Sequence, residues 1–317
     1  MKAAVYVQYG PPEVLQVKQV EKPIPKKKEI LIKIKATAVN SGDWRLRKAD
    51  PFAVRFIFGL FRPKINILGS VFSGEVESVG EEANTFRCGD MVFGHTNMSF
   101  GSYAEYLCMA DNASMALKPA NISHTEAAVI PFGGVTASHF IKKVKIKPGQ
   151  KVLVVGASGA VGSAAVQIAK SFGADVTGVC SASNIALVKS IGADKVIDYT
   201  KEDFTKNGET YDVIFDAVKA IAVQRSIKSL NKNGIMILSA AGISEMLQGL
   251  WISMTSKKKV FTGVISHKAE DIIFLKELIE KDKFKSVIDR TYPLEKIAEA
   301  HAYVEMGHKK GNVAIEV

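Results

Sequence analysis

The sequence has 317 residues, of which 47% are apolar and 23% charged, with a formal net charge of +10. That balance excludes a disordered or fibrous chain, and no uncharged apolar run of about 18 residues is present to span a bilayer. The positive charge permits attraction to polyanions, but lysines are spread along the whole chain and runs such as Lys26 to Lys28 and Lys257 to Lys259 lack interleaved aromatic residues, so no specific nucleic-acid partner is implied.

Met1 to Tyr9 alternates polar and apolar residues and reads as a first strand, not a signal peptide. Up to about Asn121, short alternating runs such as Glu29 to Ala38 and Val71 to Val79 are punctuated by glycine, proline and asparagine turns, which is β-rich texture. Within it, Phe52 to Phe61 gathers Phe52, Val54, Phe56, Ile57, Phe58, Leu60 and Phe61 with Arg55 and Arg62 alongside. That segment reads as an apolar cover over a substrate cleft, as plain core, or as a membrane-surface contact.

After Asn121, helical patterns alternate with compact apolar runs at Lys151 to Val155, Asp175 to Cys180, Val196 to Ile197, Tyr211 to Phe215 and Ile235 to Leu238, and Val260 to Ile265 adds a sixth. Such alternation predicts a parallel sheet covered by helices on both faces. Gly249 to Met254, with Trp251, is a second candidate apolar wall or simple packing. Helices are expected over Ala269 to Lys281 and Leu294 to Met306, separated by Ser286 to Thr291, with a last strand at Asn312 to Val317. These closing elements are too few for a domain and return to the first one. The fold class is therefore α/β: a doubly wound parallel Rossmann sheet, residues 122–265, inserted into a mainly β domain built from residues 1–121 and 266–317. Cys88, Cys108 and Cys180 are far apart and odd in number, so no full disulfide framework forms and a reducing, cytoplasmic setting is expected.

The sharpest local signal is the run from Lys151 to Ala169, in which an apolar strand enters a turn containing Gly156, Ser158, Gly159 and Gly162 and opens onto a helix. Gly159 lets the backbone approach a pyrophosphate, Gly162 permits close helix–sheet packing, and free N–H groups at the helix start face the phosphates. Ala157 stands at the first position of the usual glycine pattern, so the motif is a variant. About twenty residues on, a dinucleotide lacking a 2′-phosphate normally meets an Asp or Glu. Here the turn offers Ser181, Ser183 and Asn184, which donate to a 2′-phosphate and do not repel it, so NADPH is favoured over NADH. No Arg or Lys occupies that turn; Lys189 and Tyr199 help only if the fold brings them near, and the serines also serve as helix caps.

On these residues the chain resembles, end to end, the medium-chain dehydrogenase/reductase superfamily, specifically its zinc-free quinone oxidoreductase and enone or alkenal reductase branch. The resemblance runs through Ala38 to Trp44, Leu68 to Ser70, Phe72 to Gly80, Gly89 to Gly94, Gly101 to Tyr106, Gly134 to Ala137, the glycine turn, Tyr211 to Val218 and Val287 to Leu294. It implies a GroES-like catalytic domain and a site in the cleft beside the nucleotide domain. Asn40 stands where the superfamily's alcohol dehydrogenases place a zinc-binding Cys, and Gly69-Ser70 stands for Gly-His. Neither Asn nor Ser suits a tetrahedral zinc site, so no metal site is assigned.

Without a Lewis acid, conjugate reduction by positioning and hydrogen bonds is the accessible chemistry. The expected activity is hydride transfer from NADPH to a small apolar quinone or α,β-unsaturated carbonyl. The resemblance places Asn40 near the nicotinamide and substrate, with Asp43 and Arg45 as adjacent polar candidates or a structural pair. The cofactor-binding set is Ser158, Gly159, Ala160 and Val161 at the diphosphate, Ser181, Ser183, Asn184 and Tyr199 around the 2′-phosphate, and Thr136 with Ser239, Ala240 and Ala241 on the nicotinamide side. Asn312 replaces a lysine that approaches the cofactor, with Lys310 a candidate to compensate. A homodimer through the sixth-strand edge near Phe261 is also implied. No residue is nominated as general acid. The rival readings are an NADPH-binding sensor, structural or RNA-associated protein of little catalysis, and a zinc-dependent alcohol dehydrogenase.

Overall fold

A computed structural model describes residues 1–219, 222–263, 265 and 268–317. The chain divides into two compact units, residues 1–132 with 267–280 and 286–317, and residues 133–266 with 281–285. The helix His124–Val144 begins in the first and ends in the second.

The first unit is built on a seven-stranded sheet among the described residues. Its longest strand, Glu29–Val39, pairs antiparallel with Val71–Val79, Tyr106–Ala110 and Asn312–Glu316, so it is covered along both edges. Nearly every side chain from Ile30 to Val39 is buried as a result. The closing segment joins this sheet: Val313 lies opposite Val39 and Ala314 opposite Ala38, while Ile288–Pro293 runs parallel beside Asn312–Glu316. One apolar core gathers Ile30, Ile32, Phe72, Val76 and Val92. A second gathers Tyr6, Leu46, Leu68, Tyr103, Ile297 and Val304, which ties the helices Ser41–Lys48 and Ile297–Glu305 to the sheet. Full burial of each such side chain contributes roughly 1.5–3 kcal/mol.

In the second unit the parallel strands are β1 Lys151–Val155, β2 Asp175–Cys180, β3 Lys195–Asp198, β4 Tyr211–Asp216, β5 Leu230–Leu238 and β6 Lys259–Phe261. Their order, β3-β2-β1-β4-β5-β6, reverses between β1 and β4, as in a dinucleotide-binding doubly wound sheet. Leu153, Val155, Ile214, Met236 and Leu238 form its core. β5 starts five residues before Ile235, because Leu230 already pairs with Tyr211, and the register shifts between that pair and the next, Val213 with Ile235. The sixth strand covers only Lys259–Phe261 of the expected Val260 to Ile265, and Val264, like Ser266, lies outside the described residues.

The segment from Phe52 to Phe61 splits in two. Val54 and Phe58 of the short helix Val54–Phe58 pack on the apolar core, whereas Phe52, Phe56, Ile57, Leu60 and Phe61 are exposed. Plain core therefore accounts for only two of its apolar side chains. Among the described residues no helix is long and apolar enough to cross a membrane.

Candidate functional site

The glycine turn follows β1 directly. Gly156 has φ +78°, a left-handed conformation that glycine adopts without strain. A Cβ on Gly162 would lie 2.0 Å from the Gly156 carbonyl oxygen, so only glycine lets the helix Ala160–Ser171 start this close to the turn. Gly159, at the helix N-cap position, has its nearest foreign atom 3.6 Å from an added Cβ and no side-chain cap. Intrahelical bonding begins with Ser163 N–H to the Gly159 carbonyl. The N–H groups of Ala160, Val161 and Gly162 thus point out of the helix start with its positive dipole end, an arrangement suited to a diphosphate.

At the carboxyl end of β2 the structure brings four predicted residues together. Asn184 Nδ2 donates to Ser158 Oγ at 3.1 Å and to Ser181 Oγ at 3.2 Å, and Ser181 and Ser183 hydroxyls lie 3.2 Å apart. Asn184 Oδ1 is buried without a partner. Tyr199 sits beside them, its N–H on the Cys180 carbonyl. The four side chains of this cluster are hydroxyls and an amide, while the Asp198 carboxylate at the end of β3 accepts from the Ala182 N–H of the same turn. Lys189 is not brought there: it borders a cavity with Lys151, Asp175 and Lys195, the first residues of their strands, at the opposite end of the sheet.

Thr136 is buried on the helix His124–Val144, one turn beyond Gly133, whose added Cβ would lie 2.3 Å from the Ala160 carbonyl. That places Thr136 on the element backing the glycine turn. Ser239 follows β5 and binds the Asp216 carbonyl through both its N–H and its hydroxyl, each at 3.1 Å. Ala240 and Ala241 line a cavity of about 210 Å³ with Asp216, Lys219 and Glu245. The Lys219–Glu245 ion pair, at 3.0 Å, holds the Glu245 carboxyl down to about 2. These groups fit a dinucleotide laid along the carboxyl ends of β1, β2, β4 and β5.

In the first unit, Asn40 ends the strand Glu29–Val39 and precedes the helix Ser41–Lys48. It is 2% exposed, and its backbone N–H donates to Asp43 Oδ2 at 2.8 Å. Its Nδ2 reaches Ser70 Oγ at 3.5 Å. Asp43 is fully buried; that burial pushes its carboxyl up to about 7 against the opposing pull of the Asn40 N–H, the Tyr103 hydroxyl, the Gly69 N–H and the Ser70 hydroxyl. Arg45 is not part of this set. It is exposed, its guanidinium 5.2 Å from the centre of the Trp44 ring.

Arg47, which the sequence reading passed over, is completely buried and paired with Glu305. Tyr103 Oη and His301 Nε2 lie 3.2 Å apart, and burial together with the nearby Arg47 charge drives the His301 imidazole well below its usual range. The signal for Arg47 was helical spacing: residues 43 and 47 share a helix face, whereas 43 and 45 do not.

Asn312 is committed to Val287, whose carbonyl accepts from both its N–H at 2.9 Å and its Nδ2 at 3.0 Å. Lys310 is exposed, its backbone N–H on Asp289. The inward-facing amine of this segment belongs to Lys309, bonded to the Gly311 carbonyl and lowered to about 8 by burial, with Asp289 opposing.

Zinc does not suit the donors at this site. Asn40 offers a carboxamide and Ser70 a hydroxyl, Asp43 Oδ2 is engaged by the Asn40 N–H, and no group of three or more His, Cys, Asp or Glu among the described residues could hold a metal ion.

Two family profiles match the chain, "Alcohol dehydrogenase GroES-like domain" over residues 26–120 and "Zinc-binding dehydrogenase" over residues 191–315. The chloroplast envelope quinone oxidoreductase homolog of Arabidopsis thaliana is 32% identical over 100% of this chain and 98% of its own. The chloroplastic NADPH-dependent alkenal/one oxidoreductase of the same plant is 30% identical over 99% of this chain and 79% of its own. The quinone oxidoreductase structure from Coxiella burnetii superposes with a TM-score of 0.90 at 29% identity, covering 100% of this chain and 99% of that one. With the glycine turn, the sheet order and the zinc-unsuited donors at Asn40 and Ser70, these matches show that the chain belongs to the medium-chain dehydrogenase/reductase superfamily, in its zinc-independent quinone oxidoreductase and alkenal reductase branch.

Proposed function

We propose that this protein is an NADPH-dependent reductase of small apolar quinones or α,β-unsaturated carbonyls. The observation that carries the reading is the uncapped start of the helix Ala160–Ser171 next to a cluster of hydroxyls where an NADH-binding site has a carboxylate. When bound, NADPH supplies a hydride. The N–H groups of residues 160–162 hold the diphosphate, Ser158, Ser181, Ser183, Asn184 and Tyr199 surround the 2′-phosphate, and Thr136 with Ser239, Ala240 and Ala241 orients the nicotinamide. Asn40 and Ser70 hold the carbonyl oxygen of the acceptor, and Asp43 fixes Asn40 through its N–H. The three unpaired cysteines suit a reducing compartment such as the cytoplasm. The test is NADPH oxidation across a panel of quinones, enones and 2-alkenals with NADH in parallel; turnover with NADPH supports the reading, and its absence with every acceptor overturns it.

Ser183→Glu sets a carboxylate against the 2′-phosphate. Two like charges about 4 Å apart repel by ~1 kcal/mol in bulk water and ~4 kcal/mol near a protein surface, so NADPH affinity falls at least about fivefold. NADH affinity stays unchanged. Fluorescence titration with both nucleotides reads the difference.

A homodimer is part of this proposal. Among the described residues β6 has a neighbour on one side only. The helix Ile243–Thr255 before it exposes Met246, Leu247, Leu250, Trp251 and Met254 at helical spacing. An open strand edge beside an apolar stripe of this size suits a second copy placed by two-fold symmetry. Trp251→Glu is expected to shift the protein from dimer to monomer in sedimentation velocity; an unchanged dimer would place the interface elsewhere.

A further inference from the structure

The segment Phe52 to Phe61 leaves more apolar surface in solvent than its packing uses. Val54 and Phe58, four residues apart, turn one face of the short helix Val54–Phe58 into the apolar core. The other face and the turn after it hold Phe52, Phe56, Ile57, Leu60 and Phe61 in solvent, with Phe56 71% and Phe61 86% exposed. The Phe52 and Phe56 rings meet edge to face at 6.1 Å between centres, so the patch is continuous there. Backbone bonds fix its shape. The Gly59 N–H returns to the Arg55 carbonyl at 2.9 Å and the Lys64 N–H to the Phe58 carbonyl at 2.8 Å, which closes a loop with Leu60 and Phe61 at its tip. Gly59, at φ +121°, would place an added Cβ 2.1 Å from the Arg62 carbonyl oxygen, and its own carbonyl accepts from the Tyr9 hydroxyl at 2.8 Å. The apolar tip is therefore held out before any partner arrives.

Charge around this tip is one-sided. From Trp44 to Asn66 the sequence has six cations, Arg45, Arg47, Lys48, Arg55, Arg62 and Lys64, and a single acid, Asp50. Glu305 takes up Arg47 and Lys48. Arg62 and Lys64 are exposed with no acidic partner among the described residues. The Arg55 guanidinium lies over the Tyr9 and Phe52 rings, 4.8 and 5.1 Å from their centres. Exposed aromatic side chains flanked by unpaired cations match the boundary of an anionic bilayer, where the rings settle at the edge of the acyl chains and arginine and lysine meet the phosphates. A second copy of the chain fits this surface poorly. A two-fold contact centred on the tip would set the same cations of both copies against one another, and the net charge of +10 adds to the repulsion. We propose that Phe52 to Lys64 is a peripheral docking surface for an anionic lipid membrane. Phe56, Ile57, Leu60 and Phe61 enter the headgroup boundary, and Arg55, Arg62 and Lys64 meet the lipid phosphates.

Membrane docking is independent of the reductase reading, since no turnover enters its test. Wild-type protein should sediment with vesicles of equal parts phosphatidylcholine and phosphatidylglycerol and stay in solution with phosphatidylcholine alone. Added salt should weaken the binding, because it screens the phosphate contacts. Phe56→Ser combined with Phe61→Ser should lower the vesicle partition coefficient at least about tenfold, and Arg62→Glu combined with Lys64→Glu should lower it by a similar factor. Both pairs replace exposed side chains, so the melting temperature should hold. Phe61→Trp should shift its fluorescence to the blue on addition of the anionic vesicles and be quenched by brominated acyl chains, beyond any change that Trp44 and Trp251 show in the wild type. That readout reports insertion, which charge attraction alone does not produce. Protein that stays in solution with the anionic vesicles, or that binds them as well after loss of both phenylalanines, overturns the proposal. So does an oligomer that Phe61→Ser dissociates in vesicle-free sedimentation velocity, which would assign the patch to a second copy.

Discussion

Replacing Gly162 with valine is expected to weaken NADPH binding at least about 100-fold and to destabilise the nucleotide-binding unit. The added Cβ would lie 2.0 Å from the Gly156 oxygen, 2.7 Å from its carbonyl carbon and 2.9 Å from Ala157 Cα. All three are backbone atoms of a turn fixed by Gly156 and Ala157 N–H bonds to the Val179 carbonyl, so nothing can swing aside. The helix Ala160–Ser171 must lift, and the residues it buries from Gly162 to Ala169 lose their fit to the sheet. Overpacking of this kind costs about 1–3 kcal/mol, and a backbone clash sits at the upper end. Misplacing the N–H groups of residues 160–162 should weaken NADPH at least 100-fold, about 2.7 kcal/mol. Gly159→Ala is the contrasting variant. Its Cβ meets nothing closer than 3.6 Å, so the melting temperature should hold while the methyl group obstructs the diphosphate and weakens NADPH. Thermal unfolding and nucleotide titration of the two variants separate packing from binding.

Arg47→Ala is expected to cost about 3 kcal/mol of stability. Arg47 has no solvent exposure and holds together the helices Ser41–Lys48 and Ile297–Glu305 through Glu305. Breaking a buried pair typically costs 3–5 kcal/mol, because the remaining charge is stranded. Here the cost falls at the low end, since Glu305 is 23% exposed and keeps Lys48 at 2.7 Å. The Nε and Nη1 groups of Arg47 are also buried without partners, so part of the guanidinium's solvation is already lost in the native protein. Arg47→Lys should not restore stability, because a single ammonium cannot reproduce the planar fork. Urea denaturation reads both; a change within about 0.5 kcal/mol, the range of ordinary surface substitutions, would contradict the assignment.

The parallel sheet and its glycine turn were legible because they are local. Apolar runs bounded by turn residues marked β1 to β4 to within a residue or two, and the contact between Gly162 and Gly156 spans six residues of chain. The hydroxyl cluster was half legible: Ser181, Ser183 and Asn184 are adjacent in sequence, while the Ser158 link to Asn184 needs the β1–β2 pairing. Lys189 illustrates the limit, since its helix carries it to the far end of the sheet although only six residues separate it from Ser183. The cluster around Asp43 was least legible. Tyr103 and His301 are 198 residues apart and meet only because the closing segment returns to the first sheet. Nothing local marks either as buried, and choosing Arg45 over Arg47 followed proximity in sequence where the helix period mattered.

The most direct test of the central claim is transfer of label from NADPH deuterated at the transferable C4 position of the nicotinamide into an enone. Deuterium at the β-carbon of the saturated product, with the α-position taking hydrogen from water, is the predicted result. NADPH oxidation that leaves the product unlabelled, or no oxidation at all, would contradict hydride transfer by this protein.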